Sequence, residues 1–334
     1  MPLHRPALPL LTLLTSLALA ACAGGPPAPR PWAEVATREL QLQLAQVEVA
    51  GRPVGLTLPR GRSGPLPVVV YLPGLGQAHD AGQRWAAGWA QAGYAVLTVQ
   101  PLAEDADAWR TPLARSGEFR ALGERHYGAE LRTQRQAAVA HLLHALRRLP
   151  TLTSPALPPV ALDWQHAALA GYETGAQAVL DLVPAADGWR PRAVIAISPP
   201  PMDAAPGLPA ALLVTSDVDG DALGLVTRPA DRQRALASLP AGELLNLGGV
   251  SHAALSGTLA PEGWHTQDQH RGREPGLGAG QRGGMNGGMG GGPMGPAGGA
   301  PRGPRSGSAT EAAQADLSEA LRSTVAFLNT RLRG

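Results

Sequence analysis

Short apolar runs separated by amphipathic stretches fill the middle of the chain. Residues 41–49 alternate apolar and polar side chains with a period of two, and residues 53–58 repeat this alternation. The short connection between them contains Gly51, so the two segments predict an antiparallel hairpin. The run LPVVVYL at 66–72 has almost no polar side chain, which is typical of a strand buried on both faces of a sheet.

The two patterns then alternate along the chain. A further buried strand is predicted at 94–99, and other strands are predicted at 166–171, 192–198, 210–216 and 243–248. Helical periodicity predicts helices at 80–92, 128–149, 174–183, 231–239 and 309–332. Residues 101–127 have weak periodicity and are expected to form a loop with short helices. This alternation indicates an α/β fold with a mostly parallel central sheet flanked by helices, and the antiparallel N-terminal hairpin is expected at its edge.

Composition removes several kinds of chemistry. All 28 basic residues are arginine, which excludes Schiff-base catalysis and a phosphate-binding lysine loop. The single cysteine excludes a disulfide framework and a cysteine-based zinc site. Because 26 acidic residues nearly balance the basic ones, the net charge of +2 gives no support to a nucleic-acid partner. The sequence predicts no cofactor, no metal site and no nucleic-acid partner.

The beginning of the chain is typical of an export signal. A short basic start precedes an apolar stretch that is too short for a spanning helix. The segment Leu19-Ala20-Ala21-Cys22 resembles a bacterial lipobox, in which the cysteine is lipidated and becomes the first mature residue. The sequence therefore predicts a lipoprotein signal peptide over 1–21 and lipidation of Cys22. The mature protein is expected to be exported and lipid-anchored to the bacterial cell envelope.

Two further segments lack a periodic apolar face. Residues 22–38 are rich in proline and glycine and are interpreted as an extended tether. Glycine supplies 16 of the 37 positions from 272 to 308, so a disordered insert rich in Gly, Met and Arg is predicted over 271–308. Residues 309–334 return to a helical pattern and are expected to pack back on the domain formed by residues 39–270.

Glycines and polar residues follow four of the buried strands. These stretches read LPVVVYLPGLG at 66–76, ALAGYETGAQAVL at 168–180, LLVTSDVDGDAL at 212–223 and LNLGGVSHAAL at 245–255. In this order they resemble the oxyanion loop, nucleophile elbow, acid turn and histidine loop of the α/β-hydrolase family, in its dienelactone hydrolase and platelet-activating-factor acetylhydrolase branch. The resemblance covers about residues 45–260 and implies an α/β-hydrolase fold of carboxylic-ester hydrolase lineage.

The resemblance assigns a role to the polar residue of each stretch. The elbow Gly171-Tyr172-Glu173-Thr174-Gly175 keeps both glycines, but Glu173 occupies the position of the family's nucleophilic serine. The acid position falls on Asp219, with Asp217 as the neighbouring alternative, and the base position falls on His252. The chain order of nucleophile, acid and histidine is that of the family.

The oxyanion donors are expected to be two backbone N–H groups. They belong to Leu75 and to Thr174, the latter at the start of a helix. Pro73 stands where the family's oxyanion loop usually has histidine. The hydroxyl of Thr174 is adjacent to the nucleophile position but is expected to point into its helix rather than into the cleft.

Glu173 changes the chemistry that the elbow can perform. A serine hydroxyl attacks an ester after histidine removes its proton, whereas a carboxylate has no proton to give. Its attack on an ester would form an anhydride, and its charge would repel the oxyanion of the transition state. Glu173 is instead expected to pair with His252 and hold it protonated, which removes the base. Some members of the family use aspartate as the nucleophile on epoxides or alkyl halides, where a stable ester forms.

Three hypotheses follow from these residues. In the first, the protein has lost serine-esterase activity and keeps its pocket as a binding module for a small-molecule ester or a related ligand. In the second, it is an active hydrolase that uses Glu173 as nucleophile or as a base for water, with Asp219 and His252 assisting. In the third, it is an envelope interaction protein that acts through its glycine-rich tract. The first is the preferred hypothesis.

Overall fold

The computed structural model describes residues 40–62, 64–149, 151–155, 157–182, 188–259 and 306–334. The predicted signal peptide, Cys22 and the tether lie outside these residues, as does the predicted insert up to residue 305. The α/β prediction is confirmed in the described part of the chain, where one eight-stranded sheet is flanked by helices.

Ten strands are present in the described residues. They are β1 (Leu42–Val49), β2 (Arg52–Pro59), β3 (Leu66–Leu72), β4 (Ala95–Thr98), β5 (Leu152–Ser154), β6 (Leu157–Val160), β7 (Leu162–Tyr172), β8 (Ala193–Ile197), β9 (Ala210–Ser216) and β10 (Gly242–Leu247). The central sheet has the order β1-β2-β4-β3-β7-β8-β9-β10, while β5 and β6 form a separate antiparallel pair. The pair β1–β2 and the contact β2–β4 are antiparallel, and all other neighbours in the central sheet are parallel. The predicted hairpin is therefore confirmed at the edge of the sheet.

Helices connect the parallel strands. They are α1 (Gln83–Gln91), α2 (Ala103–Ala106), α3 (Pro112–Ser116), α4 (Phe119–Tyr127), α5 (Ala129–Arg147), α6 (Thr174–Leu180), α7 (His252–Leu255) and α8 (Ser306–Leu332), with 3₁₀ helices at Ala108–Arg110 and Pro229–Ser238. The region 101–127 forms short helices as predicted. Helix α1 begins later than predicted because Gly82, with φ of 66°, turns the chain in a left-handed conformation just before it.

The sequence prediction was also wrong at residues 231–239, at the start of β7, at the unpredicted pair β5–β6 and at residues 306–308, which belong to α8 rather than to the predicted insert. The helix predicted at 231–239 is a 3₁₀ helix, and its buried side chains, Arg232 and Ala235, lie three residues apart, as a three-residue turn requires. Strand β7 begins at Leu162 rather than at 166, because its first half carries polar and half-buried side chains that interrupt the apolar run.

The alternation of side chains along β3 builds the two layers of the core. Val68, Val70 and Leu72 face one side of the sheet, where α5 and α6 pack. Val69 and Tyr71 face the other side, where α1 and α8 pack. Because the strand is covered on both faces, every one of these side chains is fully buried, which explains its uninterrupted apolar sequence.

Helix α8 is tied to the domain by its own buried polar contact. The Trp89 indole N–H of α1 donates a hydrogen bond of 3.0 Å to the hydroxyl of Thr324, which is completely buried. Apolar residues of α8 also lie in the core, so this helix packs against the sheet. None of the helices in the described residues has both the length and the apolar character needed to cross a membrane.

We expect Thr324→Val to lower the free energy of unfolding by about 1–3 kcal/mol, because it leaves the buried Trp89 N–H without an acceptor. Thr330→Val is the control on the same helix, since the Thr330 side chain is exposed and bonds only to the backbone of Ala326. Its effect should stay within about 0.5 kcal/mol. Urea unfolding followed by tryptophan fluorescence measures both, and equal effects would contradict the docking described above.

Candidate active site

The carboxyl edge of the sheet brings the four predicted loops together. The loop after β3 carries Leu75, the turn after β7 carries Glu173, the loop after β9 carries Asp219, and His252 begins α7 after β10. Parallel strands end at the same edge, so loops far apart in sequence meet there. Between Leu75 and Glu173 the separation is 98 residues, and between Glu173 and His252 it is 79.

Glu173 sits at the tip of a strained strand-to-helix turn. Its φ of 50° and ψ of −112° are unfavourable for a residue with a side chain. The flanking glycines allow the turn to pack: a Cβ on Gly175 would overlap the carbonyl oxygen of Leu72, and one on Gly171 would overlap the carbonyl group of Gly175. The sequence thus forms the elbow that the glycine spacing predicts, with a carboxylate at its tip.

Each oxygen of the Glu173 carboxylate has a partner from the predicted machinery. Oε2 accepts a hydrogen bond of 3.0 Å from the backbone N–H of Leu75. Oε1 lies 2.5 Å from Nε2 of His252. Gly74 allows this approach, since a Cβ there would lie 2.5 Å from Oε2. The carboxylate is therefore hydrogen-bonded to one predicted oxyanion donor and to the predicted base at the same time.

Asp219 is the acid that contacts the imidazole. Its Oδ1 lies 2.7 Å from Nδ1 of His252, and its Oδ2 accepts hydrogen bonds from the hydroxyls of Ser198 at 2.9 Å and Thr215 at 2.8 Å. The alternative, Asp217, instead accepts a hydrogen bond from the side chain of Asn246. The geometry thus selects Asp219 from the two aspartates that sequence spacing left open.

The two carboxylates hold the imidazole in its charged form. Burial lowers the pKa of His252, but the charge of Glu173 and the hydrogen bonds to Asp219 and Glu173 raise it more, to about 9 against an ordinary 6.5. At neutral pH Nε2–H then donates to Glu173 and Nδ1–H donates to Asp219. A protonated histidine with both N–H groups engaged cannot take a proton from an attacking group.

Thr174 provides no substitute nucleophile. Its side chain is completely buried, and its hydroxyl has no hydrogen-bond partner among the described residues. As expected, this hydroxyl is not presented to solvent. The backbone N of Thr174 begins α6 directly after the elbow, which is where a second oxyanion donor is predicted.

Sequence reasoning missed a buried arginine at the site. Arg232, on the 3₁₀ helix between β9 and β10, places Nη2 at 3.3 Å from Nδ1 of His252 and Nε at 3.2 Å from Oδ2 of Asp219. Its side chain is 2% exposed. The available signal was its spacing, because Arg232 lies three residues before Ala235 and seven before Leu239, at the helical spacing of these apolar residues.

A second buried network, also missed, supports the oxyanion loop from behind. Arg135 donates to both carboxylate oxygens of Asp105, at 2.7 and 3.0 Å, and to the side chain of Gln177 on α6 at 2.8 Å. The carbonyl of Asp105 accepts from the backbone N–H of Gly76, next to Leu75. The loop and the elbow helix are thereby tied to the same guanidinium group.

A separate cavity lies away from this site. It measures about 300 Å³ between α1 and α8 and is lined by Trp85, Leu317 and Leu321 among others, but by no residue of the Glu173 site. In the described residues no group of three or more metal-ligating side chains comes together.

Comparison with known proteins gives likenesses of fold only. No protein-family model matches the chain, and no curated protein matches it. The dienelactone hydrolase of Anabaena variabilis is 20% identical, with a TM-score of 0.41 over 65% of this chain and 89% of that chain. A protein assigned as a dienelactone hydrolase in Klebsiella pneumoniae is 15% identical, with a TM-score of 0.42 over 64% of this chain and 88% of that chain. No chemistry follows from likenesses at this level.

We expect Gly175→Ala to destabilise the protein by about 1–3 kcal/mol or more, because the new methyl group overlaps the backbone of β3. Gly249→Ala is the matched control, since a Cβ at Gly249 meets nothing within 4 Å. Chemical unfolding of both variants measures the difference. An unchanged midpoint for Gly175→Ala would show that the elbow is looser than described.

The raised pKa of His252 predicts a pH dependence of stability. Because the folded pKa of about 9 exceeds the ordinary 6.5, the contribution is fully present below pH 6.5 and is lost as the pH rises through 9. It amounts to at most about 3 kcal/mol. Glu173→Gln should flatten this pH dependence, whereas Glu319→Gln, which changes an exposed carboxylate, should not. Urea unfolding at several values between pH 6 and 10 measures it.

Proposed function

We propose that this protein belongs to a carboxylic-ester hydrolase lineage in which serine hydrolysis is blocked, and that its site now serves as a binding module for a small ester or a related ligand. One observation carries the proposal: the Glu173 carboxylate engages the Leu75 N–H at 3.0 Å and the His252 Nε2 at 2.5 Å. The acceptor needed by an attacking alcohol and a donor needed by the substrate oxyanion are both taken by this one side chain.

The remaining catalytic elements cannot restore ester hydrolysis around this carboxylate. Attack of Glu173 on an ester would expel the alkoxide and leave an anhydride, which is a higher-energy acyl group than the ester that it replaced. The same carboxylate holds His252 protonated, so no neutral imidazole is available to activate water. The acid Asp219 strengthens this effect because it stabilises the imidazolium from the opposite side.

A carboxylate nucleophile acting on an alkyl electrophile is the second candidate. It is favoured by the hydrogen bond from Leu75, which fixes one oxygen of Glu173 much as it would fix the carbonyl of a glutamyl ester. Against it stands the contact of the other oxygen with protonated His252. The lone pair that would attack an electrophile is engaged in this hydrogen bond, which makes the oxygen less nucleophilic.

Export and lipid anchoring are part of the proposal. They rest on the apolar segment over 1–21 and on Cys22 at the end of a lipobox-like sequence. A protein held at an envelope surface meets its ligands outside the cytoplasm, where a binding module for small esters or related compounds has access to them.

The proposal is tested by an esterase assay on purified protein with 4-nitrophenyl acetate and butyrate. The parent is expected to give no turnover above buffer. Glu173→Ser should gain activity over the control Glu173→Ala, by up to about 100-fold, because only the serine supplies a proton for His252 to remove. The gain should disappear when His252→Ala is added.

Two outcomes would contradict the proposal. Parent turnover that is lost in Glu173→Gln would show that the carboxylate itself performs chemistry. The absence of any change in the NMR signal of His252 on titration with millimolar concentrations of these esters would exclude a binding role for the site.

A further inference from the structure

Arg232 is fixed against the side of His252 that faces Asp219. Its guanidinium donates to the carbonyl of Asp219 at 2.7 Å, to that of Ser198 at 2.9 Å and to that of Pro199 at 3.1 Å. These three backbone acceptors leave the side chain no alternative position, and its burial keeps water from screening its charge. The arginine is therefore a permanent cation of fixed position beside the imidazole.

The position of this cation opposes a charged imidazole. Nη2 lies 3.3 Å from Nδ1, which already donates its proton to Asp219 and so has no lone pair to offer the arginine. Arg232 accordingly lowers the pKa of His252, and it also approaches the Asp219 carboxylate at 3.2 Å, which weakens the support that the acid gives to the imidazolium.

The charged groups around His252 come from three elements. Glu173 approaches from the elbow, Asp219 from the loop after β9, and Arg232 from the 3₁₀ helix. Tyr172 packs its ring against the imidazole at 5.3 Å between centroids. The carboxylate of Asp221 lies 3.9 Å from Nη2 of Arg232, the nitrogen that also approaches His252. Of these groups, only Glu173 and Asp219 favour the protonated imidazole through direct contact.

We propose that Arg232 is a second barrier to serine hydrolysis. Its fixed positive charge destabilises the His252 imidazolium, which must form when an alcohol nucleophile gives up its proton. A permanent anion at position 173 offsets this effect. In the parent, Glu173 supplies a full negative charge and outweighs the arginine. With a neutral serine at position 173 the arginine acts without that opposition. The imidazolium then has to form in the transition state, next to a fixed cation.

This inference rests on the proposed loss of serine hydrolysis and adds to it. Under this proposal two residues, Glu173 and Arg232, oppose serine hydrolysis. Restoring the hydroxyl alone should therefore give a weak esterase, and removing the charge of Arg232 in addition should improve it. Arg232 acts through His252 and is a positioning residue.

The first test is an NMR titration of His252 in the Glu173 parent, which needs no turnover. Arg232→Gln should raise the pKa of His252 by about 1, because a like charge has been removed. Arg234→Gln is the matched control, since Arg234 lies on the same 3₁₀ helix but pairs with exposed Asp203. Arg232→Lys keeps the charge while changing the hydrogen bonds, and should leave the pKa close to that of the parent.

The second test compares Glu173→Ser with Glu173→Ser/Arg232→Gln in the nitrophenyl ester assay. In the pH profile of kcat/KM, the midpoint of the acid limb should lie about 1 pH unit higher in the double variant. The plateau value of kcat/KM should be higher by roughly threefold to tenfold, as expected for a stronger base. Glu173→Ser/Arg234→Gln should match Glu173→Ser in both respects.

Each result decides one of the two proposals. Equal His252 pKa values in Arg232→Gln and Arg234→Gln would overturn the role of Arg232, whatever the esterase assay gives. If Arg232→Gln does not fold, an upward shift of the His252 pKa by about 1 in Arg232→Lys would overturn it instead, because the charge is still present. Parent turnover that Glu173→Gln abolishes would contradict the lost hydrolysis while leaving the titration result intact.

Discussion

The Glu173 carboxylate, which has no proton to give, is held in a fixed position at the tip of a tight turn. The turn is fixed by Gly171 and Gly175, which pack against backbone and admit no side chain, and by the strained dihedral angles of Glu173 itself. From that position the carboxylate reaches Leu75 on one side and His252 on the other. The protonation state of the histidine and the occupancy of the oxyanion loop both depend on this one placement.

The surrounding structure stabilises the arrangement rather than straining it. Glu173 and Asp219 are anions, protonated His252 and Arg232 are cations, and the four are close enough to offset one another in a largely buried site. Unpaired charges at such burial would be costly, so the contact of each carboxylate with a cation stabilises the site. A serine at the same elbow would carry no charge, and the arginine would then face a different set of neighbours.

The packing of the elbow does not depend on the side chain at its tip. Val68, Val70 and Leu72 on one face of β3 and Val69 and Tyr71 on the other are all needed for the core, whatever stands at the end of the strand. The glycines of the elbow are equally structural, since they let α6 pack against β3. These packing requirements do not involve the side chain at position 173, so the tip of the turn is open to different side chains.

The sequence by itself determined the parts of this protein that depend on local pattern. Apolar runs predicted the parallel strands, period-two alternation predicted the edge hairpin β1–β2, and glycine spacing predicted the elbow with Glu173 at its tip. Spacing along the chain could not choose between Asp217 and Asp219, because both follow β9 within a few residues. Only the folded loop decided this, by turning Asp219 toward His252 and Asp217 toward Asn246. Arg232 was missed for a related reason: its spacing with Ala235 and Leu239 hints at burial, but its partners are backbone carbonyls and side chains from three other segments that only the tertiary structure brings together.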